Sequence, residues 1–259
     1  VESQTPRDIL QGRWFQLSAY DDWKDVADWA ARLFKTDVSP RQLLRQAKIS
    51  ADNLEDAVNF VQSDIRYLSL SINENSHLPR SPEEVIAQRF GDCKDKSLLL
   101  VTLAEGLKTR AYPVLVSTAY AGGVQGLLPS PSVFDHVIVK VVDETGPYWL
   151  DGTRTHQVGD LRHRAVGTFG VGLVLDGSGE LGPINVSGQN EGLYGIVESY
   201  QFPNPGIVSA DVALDLRGVH AEMLRSALAA KPRMLTEAMS NLYSKVHGQR
   251  LDVQMKPVE

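Results

Sequence analysis

The single cysteine of this chain, Cys93, lies where a turn containing Gly91 leads into an apolar helical segment, residues 98–103. At the first turn of a helix, unpaired backbone N–H groups and the positive end of the helix dipole favour the thiolate, the nucleophilic form of cysteine. A lone cysteine is nevertheless more often a small buried side chain than a nucleophile. Cys93 is therefore a candidate nucleophile only if the chain also supplies partners for it.

Two possible partners follow in the chain order Cys93, His136, Asp151. An imidazole that takes the proton of the thiol, and a carboxylate that orients the imidazole, are what acyl transfer by a cysteine requires. The three residue types therefore predict a nucleophilic site in which His136 is the base.

The segments that carry His136 and Asp151 are rich in β-branched and aromatic residues, and residues 143–147 between them have turn composition. Together they predict a β-hairpin. A turn centred near Asp143 and Glu144 would place His136 directly opposite Asp151, with their Cβ atoms about 5 Å apart, and a turn shifted by one or two residues would still leave the pair on neighbouring rungs. Because side chains alternate along a strand, we expect one face of the histidine strand to pack a core and the other to face the cysteine helix.

Three short motifs carry a resemblance to a known family: residues 91–96, 134–139 and 149–153. They resemble the transglutaminase-like superfamily, in particular large bacterial proteins that carry this core behind a β-rich N-terminal domain of unknown function. The resemblance covers roughly residues 21–160. Gly152 departs from the pattern, because relatives often have proline or alanine at this position.

The resemblance implies an α+β fold: a papain-like, transglutaminase-type core in which helices pack on an antiparallel sheet. In that core Cys93 is the nucleophile, His136 the general base and Asp151 the residue that orients the histidine. The resemblance also implies a peptide or protein substrate, no cofactor, and a location in the periplasm or cell envelope as part of a larger multi-domain protein.

The acyl-transfer interpretation leaves several questions open. The oxyanion would be held by the Cys93 backbone N–H and a side-chain donor, for which Tyr67 and Gln88 are candidates. The residues do not decide between water and an amine as the acyl acceptor, although the lack of a calcium-loop signature favours hydrolysis. An alternative from another class is a non-catalytic peptide- or glycan-binding scaffold with a silent triad.

Composition limits the partners of the chain. A formal net charge of −6 without a basic stripe argues against nucleic acid. No run of about 18 apolar residues is present, so we expect no membrane span. His156 and His163 lie in a loop without a cysteine pair or an HExxH helix, so we expect no metal site.

The chain divides by pattern into three regions: residues 1–19, the tail of a preceding domain or a linker; residues 20–182, the core; and residues 183–259, a smaller and incomplete α/β C-terminal domain. Apolar periodicity and capping signals predict helices at residues 21–35, 39–48, 54–65, 82–90, 221–230 and 232–247. Residues 251–255 have the pattern of a strand. Both ends of the sequence are therefore expected to be cuts through a larger protein.

Two local expectations concern the surroundings of the candidate site. Residues 122–131, with several glycines directly before the histidine strand, predict a flexible loop. The charged residues Asp92, Lys94, Asp95 and Lys96 predict a solvated first helical turn that positions Cys93, with Asp92 able to bond backbone N–H groups.

Overall fold

The computed structural model describes residues 15–50, 53–68, 77–186, 188–189, 191–205 and 207–248. The chain divides into two compact units at the junction of Asn190 and Glu191. The sequence places this boundary earlier, between residues 182 and 183. The junction lies later because Pro183 ends a strand of the first unit's sheet and Ile184 is buried in its core.

The described helices of the first unit are α1 (Trp23–Leu33), α2 (Pro40–Ala47), α3 (Leu54–Asn59), α4 (Pro82–Gln88) and α5 (Cys93–Gly106). The predicted capping box of α4 is confirmed: Ser81 accepts a hydrogen bond from the backbone of Glu84, whose side chain accepts one from the backbone of Ser81. The segment predicted as one helix from residue 54 to 65 ends differently, because α3 continues into a π-helical turn, Phe60–Asp64.

A short parallel pair joins β1 (Arg66–Tyr67) to β2 (Phe90–Gly91), and β2 lies just before the cysteine helix in sequence. The larger sheet of the first unit is antiparallel and contains β3 (Arg110–Val116), β4 (His136–Asp143), β5 (Gly146–Leu150), β6 (Val171–Val174) and β7 (Leu181–Pro183). Its strand order is β5-β4-β3-β6-β7. The first unit is thus a mixed fold of helices and an antiparallel sheet.

The predicted hairpin is present as β4 and β5, but its register differs from the expected one. Asp143 pairs with Gly146, and the Asp143 side chain accepts hydrogen bonds from the backbone and hydroxyl of Thr145 at 2.8 and 2.9 Å. These bonds centre the turn one residue later than predicted. The direct opposition of His136 and Asp151 is therefore wrong, because Asp151 follows the last pair of the ladder, Leu150 with Val139.

Both faces of the sheet are covered. Helix α5 packs on one face, where its leucines meet the β4 and β5 side chains Val139, Val141, Tyr148 and Leu150. The other face carries a second cluster that includes Val114, Val116, Ile138, Trp149, Val166 and Phe169. One face of β4 therefore packs against the cysteine helix, and the other packs against a second apolar cluster.

The glycine-rich segment before β4 is packed against the rest of the first unit. It forms a 3-10 turn, Ala121–Gly126, whose Val124 is fully buried against Val133 and Val171. Gly170 has φ +72°, and a Cβ placed on it would lie 2.8 Å from the backbone nitrogen of Gly122. Only glycine permits this close approach of two backbone segments.

The second unit contains a long antiparallel hairpin, β8 (Gly192–Asn204) with β9 (Ile207–Gly218), followed by α6 (Val219–Ala230) and α7 (Pro232–His247). The prediction for α7 is confirmed, including its end at Gly248 in the left-handed conformation. The strand predicted at residues 251–255 and most of the tail predicted at residues 1–19 lie outside the described residues. None of the helices in the described ranges is both long and apolar enough to cross a membrane.

Candidate active site

Cys93 is the first residue of α5, and side chains on both sides of it cap the N-terminus of this helix. The side chain of Asp92 accepts hydrogen bonds from the backbone N–H groups of Lys94 and Asp95, at 3.1 and 3.2 Å. The Asp95 side chain in turn accepts one from the backbone of Asp92 at 3.1 Å. This reciprocal capping box holds the first turn, and with it the backbone at Cys93, in one conformation.

The charged first turn of α5 is buried, so the expectation of a solvated turn is wrong. Lys94 forms an ion pair with Asp92, and Arg80 forms one with Asp95 at 2.8 Å. The side chain of Lys96 is completely buried. The charges can be buried because segments distant in sequence supply partners, as Arg80 does for Asp95.

His136 links the other two candidate residues. Its Nε2 lies 2.9 Å from Oδ2 of Asp151. Cys93 is the second group that acts on the ring, and it also raises the pKa of His136. The ring of His136 lies beside Phe169, with the ring centres 5.7 Å apart. The structure therefore brings Cys93, His136 and Asp151 together at the N-terminus of α5.

Asp151 is buried and held from several sides. Its Oδ1 accepts hydrogen bonds from the backbone and the hydroxyl of Thr153, at 2.8 and 2.6 Å, while Oδ2 faces His136. Burial raises the pKa of the Asp151 carboxyl, but the bonds from His136 and Thr153 and the charge of His136 outweigh burial, so the pKa lies below its usual range. The carboxylate is thus ionised and fixed in orientation, with Gly152 in the middle of its turn.

The pKa of His136 is raised above its usual range. Burial of the ring, the largest influence, lowers this pKa, but the hydrogen bonds to Asp151 and Cys93 and the negative charges of both partners outweigh it. The imidazolium form of His136 therefore persists to a higher pH than that of a free histidine. A protonated imidazole beside a cysteine is the arrangement that stabilises a thiolate.

The solved structures that this chain resembles have low sequence identity to it. No protein-family model matches the chain, and no curated protein is found to resemble it. A candidate protease from Parabacteroides distasonis has a TM-score of 0.49 at 13% identity, covering 64% of this chain and 32% of that one. A candidate cysteine protease from Cytophaga hutchinsonii has a TM-score of 0.30 at 13% identity, covering 79% and 54%. This chain spans about a third of the first protein and about half of the second.

Sequence reasoning missed Gln62, which supports the turn of Asp151 from inside the π-helical turn. Its Nε2 donates to the backbone oxygen of Asp151 at 2.9 Å and to Oε1 of Gln157 at 2.7 Å. Its Oε1 accepts from Nη1 of Arg164 at 3.4 Å, and Arg164 is itself paired with Glu55 at 2.7 Å. A π-helical turn often marks a functional site, but the apolar pattern of the sequence does not distinguish it from an α-helix.

Replacing Gln62 by leucine should lower the free energy of unfolding by about 2–4 kcal/mol, because the buried polar groups of Asp151, Gln157 and Arg164 would lose a partner. Urea denaturation would measure the change. Gln42→Leu is the matched control, because Gln42 is exposed and its hydrogen bond at 3.0 Å is to the surface residue Glu83. That variant should change the free energy by less than about 0.5 kcal/mol. Equal losses in the two variants would contradict the supporting role of Gln62.

The two candidates for an oxyanion donor differ in their surroundings. Tyr67 is half-exposed and pairs with Gly91 in the short β1–β2 ladder, two residues before Cys93. Gln88 is exposed at the end of α4, and its Oε1 accepts a hydrogen bond from Arg80 at 3.1 Å. The helix cap engages the N–H groups of Lys94 and Asp95 and not that of Cys93. Tyr67 is therefore linked by backbone pairing to the segment just before Cys93, whereas the side chain of Gln88 is engaged with Arg80.

Two further histidines lie in the loop that follows β5. His163 lies 3.2 Å from Asp160 on the surface, and His156 has a positive φ of 60° in the same loop region. Within the described ranges, no group of three or more histidine, cysteine, aspartate or glutamate side chains is arranged to hold a metal ion.

Proposed function

We propose that this protein catalyses acyl transfer on an amide or peptide bond through a thioester on Cys93. The observation that carries the proposal is the 2.9 Å hydrogen bond between His136 and Asp151 beside Cys93, at the N-terminus of α5. The proposal includes the finer fold assignment, a papain-like core of the transglutaminase type. A helix bearing the nucleophile packed against an antiparallel sheet that carries the base is consistent with that assignment.

The first half of the reaction forms the thioester. The thiolate of Cys93 attacks the carbonyl carbon of the amide, and the electron pair of the C=O bond moves onto oxygen. When the tetrahedral intermediate collapses, the C–N bond breaks and the imidazolium of His136 gives its Nδ1 proton to the leaving amine. Asp151 keeps the ring oriented through its bond to Nε2 and stabilises its positive charge.

The developing oxyanion needs donors that are already in place. We assign the backbone N–H of Cys93 as one donor, because the helix cap engages other N–H groups of the first turn and the dipole of α5 is positive at this end. Tyr67 is the proposed second donor, on the basis of its pairing with Gly91. One donor would thus belong to α5, and the other to the strand that pairs with the segment leading into α5.

The second half releases the acyl group to an acceptor. Neutral His136 takes a proton from water, the oxygen attacks the thioester carbon, and the C–S bond breaks to return Cys93 with the carboxylic acid product. We propose hydrolysis of a peptide or protein as the activity, and an amine acceptor would give a new amide by the same steps. Fluorescent casein detects the first outcome, and incorporation of dansylcadaverine into casein detects the second.

The ionisation of the site gives a test that needs no substrate. Labelling of Cys93 by iodoacetamide should be nearly independent of pH between about 6 and 7.5, because the raised pKa of His136 keeps the imidazolium beside the thiolate across this range. A free thiol, with a pKa of about 8.5, instead reacts about tenfold faster for each pH unit in the same range. Mass spectrometry of the intact protein measures the rate at each pH.

His136→Ala is the decisive companion variant for this experiment. Without the imidazolium, the labelling rate at pH 6.5 should fall by about ten- to a hundredfold and regain the dependence on pH of a free thiol. A wild-type rate that rises tenfold per pH unit would overturn the proposed site. A reactive thiol with no turnover of casein and no amine incorporation would favour the binding scaffold over the enzyme.

A further inference from the structure

Lys96 is a buried cation that the proposed mechanism does not use. It lies in α5, one turn after Cys93, and is completely buried. Its Nζ donates a hydrogen bond to the backbone oxygen of Ile65 at 2.6 Å. One neutral carbonyl compensates little of the free-energy cost of burying an ammonium group, so a negative charge nearby is expected.

Asp151 carries the negative charge that acts on the ammonium group of Lys96. The stem of Lys96 lies against the turn that carries this carboxylate, since a Cβ placed on Gly152 would lie 3.5 Å from the Cβ of Lys96. Burial lowers the pKa of Lys96 to about 8, and the charge of Asp151 acts in the opposite direction. The ammonium of Lys96 and the carboxylate of Asp151 therefore interact across the base of the site.

The other carboxylates of the first helical turn already have cations of their own. Asp92 is paired with Lys94, and Asp95 is paired with Arg80. The chain of Cys93, His136 and Asp151, with a thiolate, an imidazolium and a carboxylate, carries one net negative charge in a largely buried position. Lys96 supplies the positive charge that makes this group neutral.

We propose that Lys96 is a positioning residue of the active site, whose buried ammonium balances the charge of the triad and ties the turn of Asp151 to the segment that leads into β1. This inference rests on the proposed function, because it concerns the ionised form of the same triad. Lys96 acts through Asp151 and the backbone of Ile65, and it does not touch the substrate. Without the positive charge of Lys96, the triad loses its first proton less readily, because that step creates the net negative charge.

The test is the pH profile of iodoacetamide labelling in Lys96→Met. Methionine has a stem similar in length but no charge, so the midpoint at which Cys93 becomes reactive should rise by about one pH unit, with about tenfold slower labelling on the acid side. Lys140→Met is the matched control, because Lys140 lies on β4 but pairs with Asp176 at 3.4 Å. The control should keep the wild-type midpoint. A folded Lys96→Met protein with the wild-type midpoint would overturn the proposal.

If Lys96→Met does not fold, a second measurement tests the interaction of Lys96 with Asp151. In protein labelled with ¹³C-lysine, the buried lysine is recognised by NMR as the signal that titrates below the others. In Asp151→Asn its midpoint should fall by about one pH unit, because the opposing carboxylate is gone. An unchanged midpoint would overturn the proposal.

The two proposals fail in different ways. If wild-type Cys93 reacts like a free thiol, the proposed function fails. If wild-type Cys93 is reactive at low pH, but the ammonium of Lys96 is insensitive to Asp151 and Lys96→Met keeps the wild-type midpoint, only the role of Lys96 fails.

Discussion

Replacing Cys93 by alanine should abolish any casein hydrolysis or amine incorporation, with a loss of at least about four orders of magnitude, while the protein stays folded. The thioester cannot form without the sulfur, and a hydroxyl- or methyl-bearing replacement has no comparable nucleophile at neutral pH. Stability should change by less than about 1 kcal/mol, because Cys93 is only partly buried. Turnover assays and thermal denaturation measure the two effects.

The outcome separates a nucleophile from a structural thiol. A structural cysteine packed against its apolar neighbours would lower the melting temperature strongly when truncated, with no separate effect on turnover. If Cys93→Ala lowers the free energy of unfolding by several kcal/mol, or if the variant retains turnover, the assignment of Cys93 as nucleophile is wrong. Cys93→Ser keeps a polar side chain beside His136 and serves as the control for the loss of polarity at this position.

Replacing Asp151 by asparagine should reduce turnover by about 10²- to 10⁴-fold and narrow the pH range of turnover. The hydrogen bond and negative charge of Asp151 raise the pKa of His136, so their loss lets the imidazolium lose its proton at a lower pH. The leaving amine needs that proton, so turnover is lost at a lower pH on the alkaline side. NMR titration of the His136 ring and casein turnover at graded pH measure the change.

The same variant has a predictable dependence of stability on pH. The pKa of Asp151 is lowered in the folded protein, so its ionisation contributes stability above the unfolded pKa of about 4, and this contribution is lost as the pH falls further. The wild-type protein should therefore exceed Asp151→Asn in stability at neutral pH, with the difference shrinking in acid. A difference that stays constant down to pH 3 would contradict a buried, ionised carboxylate.

Asp135 offers a matched control for Asp151. It lies next to His136 in sequence, and its carboxylate accepts two hydrogen bonds from Thr118, both at 2.7 Å, much as Asp151 does from Thr153. Asp135 is exposed, and its bonded partner is Thr118 rather than His136. Asp135→Asn should keep the wild-type pH profile of turnover. Equal effects of the two variants on that profile would show that any nearby carboxylate suffices.

Features that depend on residues close together in the chain could be predicted from the sequence alone. The capping box at Ser81 and the start of α5 at Cys93 follow from short-range hydrogen bonds between side chains and backbone, so the residue types suffice to predict them. The same holds for the end of α7 at Gly248, where glycine accepts a left-handed backbone. The motifs at residues 91–96, 134–139 and 149–153 singled out all three residues of the proposed triad before their contacts were known.

Features that depend on partners distant in sequence are visible only in the folded chain. The contact of His136 with Asp151 joins residues 15 positions apart, and the register of β4 and β5 makes it a diagonal contact past the end of the ladder. The burial of Lys96 is possible only because Ile65 and the turn of Asp151 meet α5 in space. Such partners are set by packing between segments that lie far apart in sequence, and a local pattern of residue types contains no record of them.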